Sequence, residues 1–415
     1  MDAQKSSTTR KMLFVCYGAG HVNTLIPLIL AAQSDVRFEV TVLGLTTACI
    51  ALSARGIPYF GFKDFLSSND TEAVKFGERL VTEMPKKEGL VSREETIAYL
   101  GLSYEDLATR HGEFKARQMF SEKGRQAFLP LSVLQKVFDR FSPDILISTN
   151  SPRAERAAFM VARERKVPSV CIVDLFAKYA VQWIGEPDFG SRVCVFAESV
   201  RQFILSAGRK EDEVLVTGNP AFDRLGRDGL VEEAVELRKQ RGWLNKQVIL
   251  WASQPEPEKH PVTWEAANSA LPREIDAELL KVAKKHEDWQ VVIRYHPGEN
   301  MQPFDWPDGA YVSSVDEDLA VLLAASDVVV TMTSTVGLEG LLVGKPLITI
   351  NKSIFQQDSL FSEMGLGRGV DELELLEEAI VETLSGNGQP QVDLPKAGQA
   401  TERVFAVIEE VLSDQ

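Results

Sequence analysis

The chain has 415 residues, 44% of them hydrophobic, and a net charge of −15 at pH 7. At about 150 residues per domain this length predicts two or three domains, and the apolar content is ample for sizeable cores. The acidic charge disfavours wrapping of nucleic acid or broad adhesion to anionic lipid, because both surfaces are negatively charged.

The first residues and the cysteines indicate in which cellular compartment the protein is expected. The polar segment 1–10 lacks the apolar core of a secretory signal, and no run approaches the roughly 18 apolar residues that span a bilayer. The four cysteines are scattered along the chain and form no Cys-x-x-Cys pair: Cys16, Cys49, Cys171 and Cys194. This pattern predicts free thiols, with neither disulfides nor a zinc site. We therefore expect a cytoplasmic protein, with peripheral docking on a membrane left open.

The first predicted unit is a strand, a turn and a helix between Lys11 and Gln33. Gly18 and Gly20 lie in the turn and are expected to line a substrate site, although the turn lacks the Gly-x-Gly-x-x-Gly pattern of dinucleotide binding. His21 stands where the helix begins. A helix start disfavours the imidazolium, so we interpret His21 as a neutral ring that takes a proton from a hydroxyl. A polar residue near the cap is the alternative.

Strand-like and helix-like segments alternate up to about Asp223, which predicts parallel βαβ units. A charged, mostly helical insertion at 61–130 interrupts them and is either a binding element or a solvated helical pair. The domain ends at a turn that contains Gly218 and Asn219, which the family resemblance given below implies as substrate contacts, and we assign residues 1–225 to it. Its predicted strands are 12–16, 38–43, 57–60, 144–148, 168–173, 192–196 and 213–217.

The alternation restarts in a second domain, assigned to residues 226–415. Its predicted strands lie near 247–252, 290–295, 326–331 and 346–350. Its predicted helices lie near 231–241, 274–286, 317–325, 335–343 and 371–385, with a final helix at 401–412. Together the two halves predict an α/β protein with two doubly wound Rossmann-like domains that face a cleft.

Two strand ends in the second domain carry candidate ligand contacts. Gln254 follows the first strand and is either a base or phosphate contact or part of a plain proline-rich loop. His296 precedes Pro297 at a strand tip, where the imidazole would donate to a phosphate oxygen and help a nucleotide leave. A simple strand end is the alternative for His296.

The segment 327–346 is the most informative one, because an apolar strand ends in hydroxyls that open a helix. A helix start attracts anions through its unpaired N–H groups, and three side chains add donors: Thr333, Ser334 and Thr335. Gly337 would let a ligand approach the backbone. Glu339 is poorly placed for a capping box, so we interpret it as free to hold the hydroxyls of a ribose. A capped helix between two buried strands is the alternative.

The acidic triplet 316–318 could suggest a metal clamp. It opens a predicted helix, however, where carboxylates favour the helix dipole. We therefore predict no metal site and no metal requirement.

These motifs resemble those of nucleotide-sugar glycosyltransferases of the GT-B type. The loop from Gly20 to Pro27 is similar to the Gly-His-x-x-Pro-type loop that holds the catalytic histidine in many such enzymes, with Thr24 in the usual proline position. Three segments resemble the Gln-Pro, His-Pro and Ser-Thr motifs of capsular polysaccharide and Kdo- or sialyl-type transferases that use CMP-sugars: Gln254-Pro255, His296-Pro297 and 334–339.

Two other enzyme classes share part of this pattern. Residues 217–219 and 333–345 are similar to hydrolysing UDP-GlcNAc 2-epimerases, but the N-terminal Gly-Thr-Arg-Pro-Glu and central His-Arg-x-Glu-Asn patterns are missing. Glycerol-phosphate transferases of teichoic-acid synthesis share the His-Pro and Ser-Ser/Thr motifs. The nucleotide of the donor therefore stays open.

The resemblance implies a metal-independent, inverting transferase that moves a sugar from a nucleotide-sugar to a hydroxyl of a glycan, lipid-linked or small-molecule acceptor, with no separate cofactor. His21 would deprotonate the acceptor, and His296 with the 333–335 loop would neutralise the departing phosphate. A 2-epimerase-like enzyme and a catalytically silent binding protein are the alternatives. The base, the sugar, the acceptor and the oligomeric state stay open.

Overall fold

A computed structural model describes residues 9–83, 91–260, 263–296, 299, 310–359, 361, 363–386 and 394–414. The chain divides into two compact units. Unit 1 comprises Met1–Ala221 together with Gln399–Gln415, and unit 2 comprises Phe222–Gly398.

Unit 1 is built on a six-stranded parallel sheet. In chain order its strands are β1 (Arg10–Cys16), β2 (Phe38–Gly44), β3 (Ile145–Thr149), β4 (Ser169–Ile172), β5 (Arg192–Val195) and β6 (Val214–Val216). The spatial order is β2-β1-β3-β4-β5-β6. Because helices cover both faces, β3 and β4 are buried at every residue, including the hydroxyl residues Ser148, Thr149 and Ser169.

The helices of unit 1 follow the predicted alternation. They are α1 (Ala19–Gln33), α2 (Ala48–Ser53), α3 (Thr71–Glu83), α4 (Arg93–His111), α5 (Glu113–Lys123), α6 (Leu131–Phe141), α7 (Ala154–Glu164), α8 (Val181–Ile184) and α9 (Glu198–Ser206). The 61–130 insertion is helical, as predicted, but α4 is largely buried rather than solvated. Glycines allow α3 and α4 to cross closely, because a Cβ on Gly101 would lie 2.0 Å from the Ala73 carbonyl oxygen.

Unit 2 is a second six-stranded parallel sheet. Its strands are β7 (Gln247–Ala252), β8 (Trp289–Arg294), β9 (Ala310–Val312), β10 (Val328–Thr331), β11 (Leu347–Ile350) and β12 (Arg368–Val370), in the order β12-β11-β10-β7-β8-β9. Its helices are α10 (Leu230–Gln240), α11 (Leu271–Ala283), α12 (Leu319–Ala325), α13 (Thr335–Leu342), α14 (Gln356–Ser359) and α15 (Leu376–Leu384). The predicted class, α/β with two doubly wound parallel sheets, is confirmed.

The last helix, α16 (Ala400–Ser413), belongs to unit 1. Val404 and Ile408 are fully buried in the core cluster of the first sheet, and Glu409 pairs with Arg37 at 2.8 Å. Sequence analysis assigned this helix to the second domain, whereas the structure places it in unit 1. The reason is physical: an apolar stripe predicts that a helix packs, but not on which sheet.

Three strands also differ from prediction. The predicted strand 57–60 contributes only an isolated bridge between Leu43 and Phe60, because Pro58 cannot donate to a ladder. β9 and β12 were not predicted, since each has only three residues. None of the helices in the described ranges combines the length and apolar composition that crossing a bilayer requires.

Both sheets have a point at which the strand order reverses. In unit 1 it lies between β1 and β3, and in unit 2 between β7 and β10. In open parallel sheets, ligands bind outside the carboxyl ends of the strands at such points. The segments that follow β1, β3, β7 and β10 are therefore the candidate positions of a ligand-binding site.

Candidate functional site

The segment after β1 carries three of the predicted residues to the reversal point of unit 1: Gly18 precedes α1, whereas Gly20, predicted to lie in the turn, and His21 are in the first turn of the helix. Gly18 is the cap of α1 in extended conformation, and no side chain caps this helix start. A Cβ on Gly18 or on Gly20 would meet no atom within 4 Å, so packing does not require glycine at either position. The space beside the helix start is open, which suits the predicted substrate contact.

His21 contacts two polar residues from neighbouring strands. Its Nδ1 lies 3.0 Å from the Thr149 hydroxyl at the end of β3, and 3.5 Å from the Asp174 carboxylate just after β4. About a quarter of each of the His21 and Asp174 side chains is exposed. With Nδ1–H directed to these oxygens, Nε2 is the nitrogen that can take a proton.

Two asparagines hold Asp174 in place through its backbone. The Asp174 N–H donates to Asn150 Oδ1 at 3.0 Å, and Asn219 Nδ2 donates to the Asp174 carbonyl at 2.8 Å. Asn219 Oδ1 also accepts from the Ala221 N–H at 2.9 Å, while Gly218 adopts a positive φ of 83° that favours glycine. Gly218 and Asn219, predicted as substrate contacts, thus form a support for Asp174.

Sequence reasoning missed Thr149, Asn150 and Asp174. Thr149 ends an apolar strand and the other two follow one closely, and this is the signal that singled out His296 in the second domain. The same rule, applied to β3 and β4, would have found them.

At the reversal point of unit 2, Gln254 and Thr333 bind one another. Gln254 Nε2 donates to the Thr333 hydroxyl at 2.7 Å, and the Thr333 N–H donates to Gln254 Oε1 at 3.0 Å. The side-chain amide therefore joins the loops after β7 and β10. Gln254 shapes the predicted anion-binding loop from within.

The start of α13 combines a cap with close packing. Ser334 is the cap, and its hydroxyl accepts from the Val336 N–H at 3.3 Å. Thr335 follows as the first helical residue and is exposed. A Cβ on Gly337 would approach Leu347 and Thr331 at 3.0 Å. The predicted reason for Gly337, close approach of a ligand, is therefore replaced by close packing of α13 on β10 and β11.

Glu339 is not free, contrary to the sequence interpretation. Arg224, in the 3₁₀ helix Pro220–Gly226, donates to its Oε2. Glu339 is only 7% exposed, and burial raises the pKa of its carboxyl group, while Arg224 acts in the opposite direction. A ribose would have to share this carboxylate with the guanidinium.

His296 is exposed at the end of β8, next to β7 in the sheet. Its backbone N–H donates to Glu299 Oε2 at 2.9 Å, and the Glu299 N–H donates to the His296 carbonyl at 2.8 Å. Glu299 Oε1 in turn accepts from Arg273 at 2.8 Å and from Ser253 at 3.0 Å. The carboxylate thus fixes the backbone of the predicted catalytic histidine. Pro297, the other half of the motif, lies outside the described residues.

The acidic triplet 316–318 forms a helix start, as predicted, since Asp318 caps α12 by accepting from the Ala320 N–H at 2.8 Å. Over the described ranges, no group of three or more His, Cys, Asp or Glu residues could hold a metal ion.

Comparison with known proteins places this geometry in context. Residues 275–367 match the family model described as capsule polysaccharide biosynthesis protein, and this segment contains His296, Ser334 and Glu339. No curated protein sequence matches the chain.

Solved structures match over nearly the whole chain. A Listeria monocytogenes protein assigned as a UDP-N-acetylglucosamine 2-epimerase has a TM-score of 0.60 at 14% identity, covering 98% of both chains. The UDP-GlcNAc 2-epimerase of Neisseria meningitidis, bound to UDP-GlcNAc, has a TM-score of 0.57 at 16% identity and covers 98% of this chain and 100% of its own. The glycosyltransferase SnogD of Streptomyces nogalater has a TM-score of 0.50 at 14% identity, covering 96% and 99%. The chain therefore shares the two-domain α/β fold of these enzymes, which confirms the GT-B resemblance at the level of fold.

Proposed function

We propose that this protein is a glycosyltransferase that moves a sugar from a nucleotide-sugar donor to a hydroxyl acceptor. The observation that carries the proposal is the contact of His21 with Thr149 and Asp174 at the reversal point of the first sheet. An imidazole oriented by a hydroxyl and a carboxylate, beside an uncapped helix start, is a suitable general base.

In the proposed reaction, the acceptor hydroxyl gives its proton to Nε2 of His21. Its oxygen bonds to the anomeric carbon as the bond from that carbon to the donor phosphate breaks, and the electron pair leaves with the nucleotide. Asp174 stabilises the imidazolium that forms. A single displacement of this kind inverts the anomeric centre.

Unit 2 would bind the nucleotide. The helix dipole at the start of α13 and the hydroxyls of Thr333 and Thr335 would attract and bind a phosphate, while the Val336 N–H stays bonded to the cap residue Ser334. His296 would add a further donor as negative charge grows on the leaving group. The capsule polysaccharide biosynthesis match covers this part of the chain, which supports a polysaccharide or other glycan as acceptor.

A 2-epimerase-like reaction is the second candidate. The observation in its favour is that UDP-GlcNAc 2-epimerases match this fold over 98% of the chain. The two reactions differ in whether an acceptor is needed. We expect no C2 isomer when the protein is incubated with UDP-GlcNAc alone, and formation of that isomer would favour the epimerase.

The transferase proposal is tested with His21→Ala. A panel of UDP, CMP, CDP, GDP and dTDP in a thermal-shift assay first identifies the nucleotide, because a ligand that binds only the folded state raises its melting temperature. With the matching nucleotide-sugar, His21→Ala should lower kcat by about 10²–10⁴-fold and leave donor affinity within about twofold.

His111→Ala is the control, since His111 is an exposed histidine at the end of α4. Its kcat should equal that of the wild type. Full transfer activity in folded His21→Ala would exclude His21 as the base and with it the proposed mechanism.

A further inference from the structure

A second carboxylate is bonded to the turn that carries His21. Glu155 lies in the first turn of α7 and is fully buried, with 0% of its surface exposed. Its Oε1 accepts from the Tyr17 backbone N–H at 2.8 Å. Tyr17 immediately precedes Gly18, the cap of α1. This bond therefore connects α7 to the start of α1, where His21 lies.

The other oxygen of Glu155 is less well bonded. Within the described part of the chain, Glu155 Oε2 and the buried hydroxyl of Ser151 each lack a hydrogen bond of normal geometry, although the nearby Ser151 hydroxyl acts to lower the pKa of the carboxyl group. A buried acid with a weakly bonded oxygen costs folding free energy, so packing alone does not account for it. Burial raises the pKa of Glu155, and the charge of a protonated His21 acts to lower it. The charge of His21 therefore acts on Glu155.

We propose that Glu155 is a positioning residue for His21, holding the turn through Tyr17 and favouring, by its negative charge, the proton that the imidazole accepts. The catalytic part of this inference rests on the proposed function. The effect of the Glu155 charge on the protonation of His21 does not rest on it, because that effect requires no reaction.

Other polar groups lie around His21 and the adjoining Tyr17. Asp174 is in direct contact with the imidazole, but a quarter of its side chain is exposed. The Arg153 guanidinium carries the opposite charge and lies 4.0 Å from the centre of the Tyr17 ring. The Tyr17 and Tyr99 hydroxyls are 3.2 Å apart, and the Cys16 thiol precedes Tyr17 in the chain. Burial raises the pKa of Tyr99 and of Cys16, so both are neutral near pH 7. Of these groups, Glu155 is the fully buried carboxyl group, so its charge in the ionised form is screened least by water.

The test is Glu155→Gln, which keeps the size and the acceptor for Tyr17 but removes the charge. The control is Glu164→Gln, an exposed glutamate at the other end of the same helix. The imidazole titration of His21 is followed by NMR, and its signal among the five histidines is assigned from its loss in His21→Asn.

We expect the titration midpoint of His21 to move to lower pH by about one unit in Glu155→Gln and to stay in place in Glu164→Gln. In the transfer assay, the acid limb of kcat/KM should move by the same amount while the donor KM is unchanged. A folded Glu155→Gln protein with the wild-type midpoint would overturn the proposal. This outcome is separate from failure of the proposed function, which would appear as full activity in His21→Ala.

If Glu155→Gln does not fold, Glu155→Asp supplies the test. The charge remains, but the shorter side chain weakens the bond to Tyr17. The Tyr17 amide should then exchange with solvent about tenfold faster. Unchanged exchange at Tyr17 would show that Glu155 does not hold the turn.

Discussion

Asp174→Asn isolates the contribution of one carboxylate to the proposed base. The Asp174 Oδ2 lies 3.5 Å from His21 Nδ1. At this distance, two unit charges attract by about 1 kcal/mol in a water-like medium and by about 5 kcal/mol at an effective dielectric constant of about 20. Because a quarter of each side chain is exposed, we expect a value in the lower half of this range, about 2 kcal/mol.

An energy of about 2 kcal/mol corresponds to about a thirtyfold loss in kcat, because the imidazolium forms only as the reaction proceeds. The donor KM should be unchanged. The amide keeps the oxygen that accepts from the Leu175 N–H at 2.9 Å, so the loop should retain its conformation. The assay is steady-state transfer with the donor identified by the nucleotide panel.

Asp139→Asn is the matched control, since it removes the same charge from an exposed site on α6 where Asp139 pairs with Arg165. Its kcat should be that of the wild type. A folded Asp174→Asn protein with kcat within twofold of the wild type would refute the argument, because the carboxylate would then contribute nothing to the base.

Three further outcomes follow from the contacts of single residues. Asn219→Ala removes the bond that connects the turn after β6 to Asp174 and the bond within that turn from the Ala221 N–H, so it should cost about 1–3 kcal/mol of unfolding free energy and lower kcat, as measured by calorimetry and by the transfer assay. Gln254→Leu breaks the reciprocal bonds to Thr333 and should weaken nucleotide binding about tenfold by titration calorimetry, with no change in kcat at saturation. Glu339 has a folded pKa raised by burial, so it costs stability as the pH rises above about 4.5. Glu339→Gln should therefore melt about 2–4 °C above the wild type at pH 7 but not at pH 4, in differential scanning calorimetry. An equal difference at both pH values would contradict this reasoning.

The strands and helices were predictable wherever local pattern decides them. The apolar run before Gly18 predicted β1, and the hydroxyl cluster after Val330 predicted the start of α13 at Thr335. The three-residue strands β9 and β12 were missed because they hold too few residues for a period to show. The partner of α16 was missed because helical periodicity carries no information on which sheet it covers.

For the candidate site too, local pattern identified some residues and missed their distant partners. His21, His296 and the 333–335 loop were singled out from the sequence because each breaks a local pattern after a strand or at the start of a helix. Their partners lie far away in sequence: 128 residues separate His21 from Thr149. Only the strand order brings such pairs together, and it follows from packing of the whole sheet rather than from any short segment. Glu339 shows the converse, since its local position suggested a free carboxylate, whereas Arg224 reaches it from 115 residues away.

Two buried carboxylates, Glu155 and Glu339, connect stability with the proposed chemistry. In both, burial raises the pKa, which means that each ionised group lowers the stability of its own unit near pH 7. A neutral side chain of similar size would fold at least as well in either place. Glu155 is bonded to the turn that carries His21, and Glu339 lies on the helix that Ser334 caps. Because both acids lower stability, folding does not explain why they lie beside the reversal points of the two sheets. In the proposed function, Glu155 would support the base His21 and Glu339 would bind the ribose of the nucleotide.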